Sequence, residues 1–129
     1  MTRRYFGESL EWLMVWRRYW FVPGLEVYSK RDAEIPFDQQ QMMALISPRK
    51  LYVASADLDD YADPRGEFLA TRTASGAWPE PQGIDKFPAP GNGVGDKSVR
   101  YFLRKGEHDF TPENWDDLIR YTKKCFNME

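Results

Sequence analysis

Histidine and cysteine are nearly missing from this chain: its 129 residues hold one of each, His108 and Cys125. A single cysteine excludes a disulfide framework, and near the end of the last predicted helix Cys125 reads as a small, buried, apolar residue. With His108 and Cys125 well apart, zinc is not expected. No stretch approaches the roughly 18 consecutive apolar residues of a spanning helix, so no membrane partner is expected. Two N-terminal arginines are followed by Gly7, Glu8 and Glu11, which deny the segment the apolar core of a signal peptide and leave the compartment unassigned. Charge of one sign is scarce as well. Eighteen basic against twenty acidic side chains give a net charge of -2, with no field to draw a polyanion, although "MTRRYF", "WRRYW" and "SPRK" are locally basic. Nucleic acid is therefore not an expected partner.

What the chain does have is a globular composition, 42% hydrophobic and 16% aromatic, and the length of one domain or part of one. Leu10, Leu13, Met14 and Trp16 or Arg17 approximate helical spacing within 6–20, and "VPG" at 22–24 ends that segment. Asp38 caps a short helix through "QQQMMALI", which Pro48 stops. "KLYVASA" is an apolar, β-forming run, read as a buried strand of the parallel kind. Asp63 and Pro64 supply the cap and first position of a helix through "RGEFLATRTAS", ending near Gly76. Residues 77–97 are dense in proline and glycine and read as a long surface excursion. "SVRYFLRKG" is a second strand. Thr111 and Pro112 open a last helix, with Trp115, Leu118, Ile119, Thr122 and Phe126 as its apolar stripe.

Two strands joined through a helix imply a parallel pair. The fold class is α/β, a partial parallel sheet with flanking helices whose remaining strands lie elsewhere. In such sheets functional side chains gather at the carboxyl ends of strands. Those ends carry "DLDD" and "GEHD", so Asp59 and His108 have the types and order of the acid and histidine in an α/β-hydrolase triad. A solvated acidic loop beside a histidine bonded to nearby backbone is the alternative. A calcium loop built from Asp57, Asp59, Asp60 and Asp63 fits less well, because Ala62 stands where the sharp turn needs glycine and Phe68 where a bidentate glutamate is required. No metal and no cofactor are expected.

The runs "RRYFGES", "PFDQQQMMALISPRKLYVASADLDDYADPRGEF" and "EHDFTPENWDD" occur in order and cover nearly the whole chain. Together they closely resemble the C-terminal part of the glucuronoyl esterases, carbohydrate esterase family fifteen. The resemblance implies that residues 1–129 are a single partial domain, the C-terminal portion of an α/β-hydrolase. It also implies a serine carboxylic-ester hydrolase acting on glucuronate esters of xylan. His108 resembles the family's catalytic histidine, and Asp59 the acid of many bacterial members. Glu8 resembles a glutamate that contacts sugar hydroxyls, and Tyr61 stands where a tryptophan usually lines the uronate pocket. The family's glycine-cysteine-serine elbow has no counterpart here. Ser9, Ser29, Ser47, Ser55, Ser75 and Ser98 all lack the strained strand-to-helix turn that exposes a nucleophile. Losing a triad serine costs on the order of a million-fold in turnover, so the chain is expected to be inactive alone. Its partner would be a glucuronate ester once a complementing N-terminal half is present. A non-catalytic carbohydrate- or protein-binding module is the other reading. An uncovered sheet edge would allow self-association.

Overall fold

The computed structural model describes residues 7–128. Residues 1–6, which include the first basic cluster and Phe6 at the start of the expected first helix, lie outside it, as does Glu129. The elements in chain order are α1 (Leu10–Trp16), α2 (Gln39–Ala44), β1 (Leu51–Ala56), α3 (Pro64–Ala74), β2 (Asn92–Val94), β3 (Val99–Arg104) and α4 (Pro112–Phe126), with short 3-10 turns between them. The first helix is shorter than its sequence spacing suggests. Ser9 caps it, accepting from the Trp12 amide at 3.1 Å, and a 3-10 turn over Arg18–Trp20 follows. Trp16, Tyr19 and Trp20 are exposed, so no packing extends the helix past two turns.

The other expected helix starts hold. Asp38 and Gln41 form a capping box on α2. Asp63 caps α3 from a left-handed conformation, with Pro64 in the first turn. Thr111 and Asn114 form the box that opens α4. Each satisfies amide groups that a helix leaves without internal partners.

The sheet order is β1-β3-β2. β1 and β3 are parallel over six pairs, from Leu51 opposite Val99 to Ala56 opposite Arg104. β2 adds an antiparallel edge along β3, so the sheet is mixed and not purely parallel. Residues 77–97, expected as a surface excursion, supply this strand and part of the core. Trp78 and Ile84 are buried with Leu51, Phe68, Val99, Tyr101 and Leu103. The Gln82 carboxamide oxygen accepts from the Ser98 and Val99 amides at 2.7 and 2.9 Å. Proline and glycine exclude regular helix from this segment, but they do not set which side chains face inward.

Strand alternation divides the work of β3. Val99, Tyr101 and Leu103 join the core cluster beside α2 and α3, while Arg100 turns toward α4. There Arg100 makes a two-pronged ion pair with Asp117, at 2.7 and 2.6 Å, and the Tyr52 hydroxyl donates to the same carboxylate at 3.1 Å. The buried residues of α4 are therefore Asn114, Asp117 and Tyr121. The expected apolar stripe is turned away from the sheet: Trp115, Ile119 and Phe126 are exposed, and only Leu118 and Thr122 are half-buried. Arg100 is the cause, since a strand cation facing the helix demands a carboxylate opposite it. Cys125 is half-buried, its thiol donating to the Lys97 carbonyl at 3.1 Å. Among the described residues, no helix is long and apolar enough to cross a membrane.

The Arg100 and Asp117 side chains are 18% and 5% exposed, so removing one strands a largely desolvated charge. Asp117→Ala should destabilise the chain by about 3–5 kcal/mol, read as a fall in the urea midpoint. A loss below about 1 kcal/mol would show that the pair does not hold α4 to the sheet.

Candidate active site

Because β1 and β3 finish level, the segments after Ala56 and Arg104 leave the same end of the sheet side by side. Backbone bonds lace them together. The Asp57 amide donates to the Arg104 carbonyl and the Leu58 amide to the Gly106 carbonyl, both at 3.0 Å. The Asp57 carboxylate accepts from the Gly106 amide at 2.7 Å. Gly106 has φ 105°, a left-handed conformation that strains any residue with a Cβ.

This lacing brings the two sequence-predicted catalytic residues together. Asp59 Oδ2 lies 2.6 Å from His108 Nδ1. The carboxylate side chain is 8% exposed and the imidazole 88%. Asp59 is fixed from below, since its Oδ1 accepts from the Ala62 amide at 3.2 Å. A carboxylate can only accept, so in the neutral imidazole this contact places the proton on Nδ1 and leaves Nε2 with a free lone pair. The ring edge opposite Asp59 is thus a base open to whatever faces it. Two further acids of the loop have other duties: Asp57 holds Gly106 and Asp63 caps α3 through the Gly66 amide at 3.0 Å.

Glu8 and Tyr61 are also neighbours. The Glu8 amide donates to the Tyr61 carbonyl at 3.0 Å, which seats the N-terminal segment on the acid loop. Tyr61 is 74% exposed. Sequence reasoning missed Glu67. It lines a cleft of about 420 Å³ together with Ser55, Asp59, His108 and Asn114, and its carboxyl is hydrogen-bonded to the Ser55 hydroxyl. Burial pushes the Glu67 pKa up to about 7, with the nearby charges of Asp59 and Asp63 adding to the effect and Ser55 and His108 opposing it. Its signal was available: Glu67, Thr71 and Ala74 share the inner face of α3, where an acid is out of place.

Two parallel strands that deliver an acid and a histidine from adjacent carboxyl-end loops have the arrangement in which an α/β-hydrolase holds its acid and base. The family model described as glucuronyl esterase of fungi matches residues 8–80. Carbohydrate esterase MZ0003, from an unknown prokaryotic organism, is 34% identical over 125 residues, covering 94% of this chain and 29% of that protein. A solved glucuronoyl esterase from Solibacter usitatus superposes with a TM-score of 0.84 at 38% identity, over 92% of this chain and 31% of that one. A promiscuous esterase of carbohydrate esterase family fifteen from a marine bacterial metagenome does so with a TM-score of 0.84 at 31% identity, over the same shares. The chain belongs to the glucuronoyl esterase family, as a C-terminal portion of its α/β-hydrolase fold. It spans about 29% of the length of the curated relative it matches.

A carboxyl whose pKa is raised on folding binds its proton more tightly in the folded state. Its contribution is complete below the ordinary value of 4.5 and is lost as pH rises through about 7. Glu67 should therefore cost the parent chain up to ~3 kcal/mol of stability across that window, and Glu67→Gln should remove this slope. Urea titrations of both chains at several pH values measure the difference. Parallel curves would show that Glu67 ionises freely in the folded state.

Proposed function

We propose that this chain carries the base, the acid and two sugar contacts of a serine esterase acting on glucuronate esters of xylan, with the nucleophile delivered by a complementing N-terminal portion. Residues 1–129 form one partial domain in this reading. The single observation that carries it is the 2.6 Å contact between Asp59 and His108 at the end of the sheet, in a chain of the glucuronoyl esterase family.

In acylation, His108 Nε2 takes the serine proton as the oxygen attacks the ester carbon. The resulting imidazolium is stabilised by Asp59, which also fixes the tautomer. The proton passes to the departing alcohol. In deacylation, His108 deprotonates water, and the glucuronic acid leaves as the serine regains its proton. Glu8 and the Tyr61 ring contact the uronate from the acid loop's side of the cleft. Nucleic acid, membrane, metal and cofactor have no part in this scheme.

The complementing portion has a place to dock. Among the described residues β1 pairs with β3 alone, so its other edge offers backbone donors and acceptors to a further strand, or to a second copy of the chain when none is supplied. Trp12, Trp16 and Trp20 lie exposed on the N-terminal segment and Trp115, Ile119 and Phe126 on α4. These rings fit a packed domain neighbour better than water.

The purified chain alone should neither hydrolyse a methyl glucuronate ester nor react with a fluorophosphonate that labels activated serines. Co-expression with the N-terminal two-thirds of the Solibacter usitatus esterase should restore both. In that pair His108→Ala should lower turnover on the order of a million-fold and Asp59→Asn on the order of ten-thousand-fold. Activity of the chain alone, or full activity of the complemented His108→Ala variant, would overturn the reading. Sedimentation of the isolated chain reads the free edge: association that disappears when the partner portion is added is the expected result.

A further inference from the structure

The loop that carries His108 has little to hold it by ordinary packing. Lys105, Glu107, His108, Asp109 and Phe110 are all exposed. Ordering exposed residues costs backbone entropy that packing does not offset here, yet His108 Nδ1 sits at 2.6 Å from its acid. Asp57 holds the Gly106 amide, and a second side chain reaches the backbone on both sides of His108 from inside. Arg104, the last residue of β3, is 5% exposed. Its Nη1 donates to the Lys105 carbonyl, and its Nη2 donates to the Glu107 carbonyl and, at 3.2 Å, to the Asp109 carbonyl. The two carbonyls that flank His108 in sequence therefore bind a single guanidinium nitrogen.

Nothing else explains this arginine. Among the described residues no carboxylate forms an ion pair with it, and its Nε is buried with no partner. A desolvated guanidinium with only carbonyl dipoles around it is expensive relative to a leucine or methionine packed in the same place. What the guanidinium supplies, and an apolar chain does not, is a rigid planar fork whose donors point in fixed directions. Gly106 is matched to it, since a Cβ there would come within 3.0 Å of Nη1.

We infer that Arg104 is the positioning residue of this site: it wraps residues 105–109 around its guanidinium and so presents His108 to Asp59 with Nε2 turned outward. The inference deepens the proposed function and rests on its reading of His108 as the base. Lysine, with one compact head, cannot hold three carbonyls in the same geometry, so Arg104→Lys is the informative change.

His108 is the only histidine in the chain, so its ring nitrogens and hydrogen-bonded Nδ1 proton are followed by NMR without ambiguity, in the full 129-residue protein. The parent should show one tautomer, protonated at Nδ1, and a slowly exchanging, downfield Nδ1 proton. Arg104→Lys should melt cooperatively while losing that proton signal and populating both tautomers. An unchanged His108 signal in folded Arg104→Lys overturns the inference. If that variant does not fold, the parent decides: Arg104 Nη protons protected from exchange together with the Nδ1 proton support it, and freely exchanging Nη protons beside an intact Nδ1 signal overturn it. In the complemented enzyme the same variant should lose about a hundredfold in kcat with KM little changed. Loosened His108 with undiminished kcat would leave Arg104's role standing and remove that of His108 as base.

Discussion

The parallel register of β1 and β3 is the constraint on which the rest depends. Six residue pairs run without a bulge from Leu51 and Val99 to Ala56 and Arg104, so both strands release their chains at the same height. A slip of one residue would exchange the two faces of β3, sending Arg100 into the apolar cluster and Tyr101 toward α4. It would also offset the two loops by one step, and the bonds from Asp57 and Leu58 to Arg104 and Gly106 could not form. The site is therefore specified by packing on the far side of the sheet as much as by its own polar contacts. Val99, Tyr101 and Leu103 fill the core only in the register that brings Asp59 to His108.

Local chemistry made much of this legible in the sequence. The caps at Asp38, Asp63 and Thr111 act within four residues, as do the prolines beside them, and the apolar runs of β1 and β3 have no other good reading. The acid and histidine were legible because a general rule places function at strand ends. The unread features depend on partners distant in sequence. The turning of α4 is set by Arg100, 17 residues from Asp117, and a pattern of apolar residues within the helix says nothing of that. Trp78 and Ile84 were hidden in a segment whose prolines and glycines describe its backbone alone. Glu8 and Tyr61 stand out only by family resemblance, and their adjacency is not legible, since the single amide bond joining them leaves no pattern.

The molecule distributes its polar and apolar contacts in an unusual way. Between α4 and the sheet lie an ion pair, a tyrosine hydroxyl and a capping asparagine, while the rings of the same helix face outward. Buried ionic contacts are weak contributors compared with apolar packing of equal volume, but they are demanding about geometry. They fix the azimuth of α4, and with it the direction in which Trp115, Ile119 and Phe126 point. The same trade recurs at Arg104, where a desolvated cation sets the shape of an exposed loop.

Asp59 and His108 both belong to one stretch running from β1 to the loop after β3, 49 residues apart, with α3 and the edge strand β2 between them. The bonds that Ala62, Asp57 and Arg104 make to the pair and its loop all come from within that stretch. In the proposed esterase the acid and base would thus be preorganised before any nucleophile is near, and the reorganisation left for assembly would be confined to the solvent around one imidazole edge. On the proposed reading, labour is divided by connectivity: the segment that would manage protons holds its own geometry, and the segment that would make bonds to carbon has only to arrive in register.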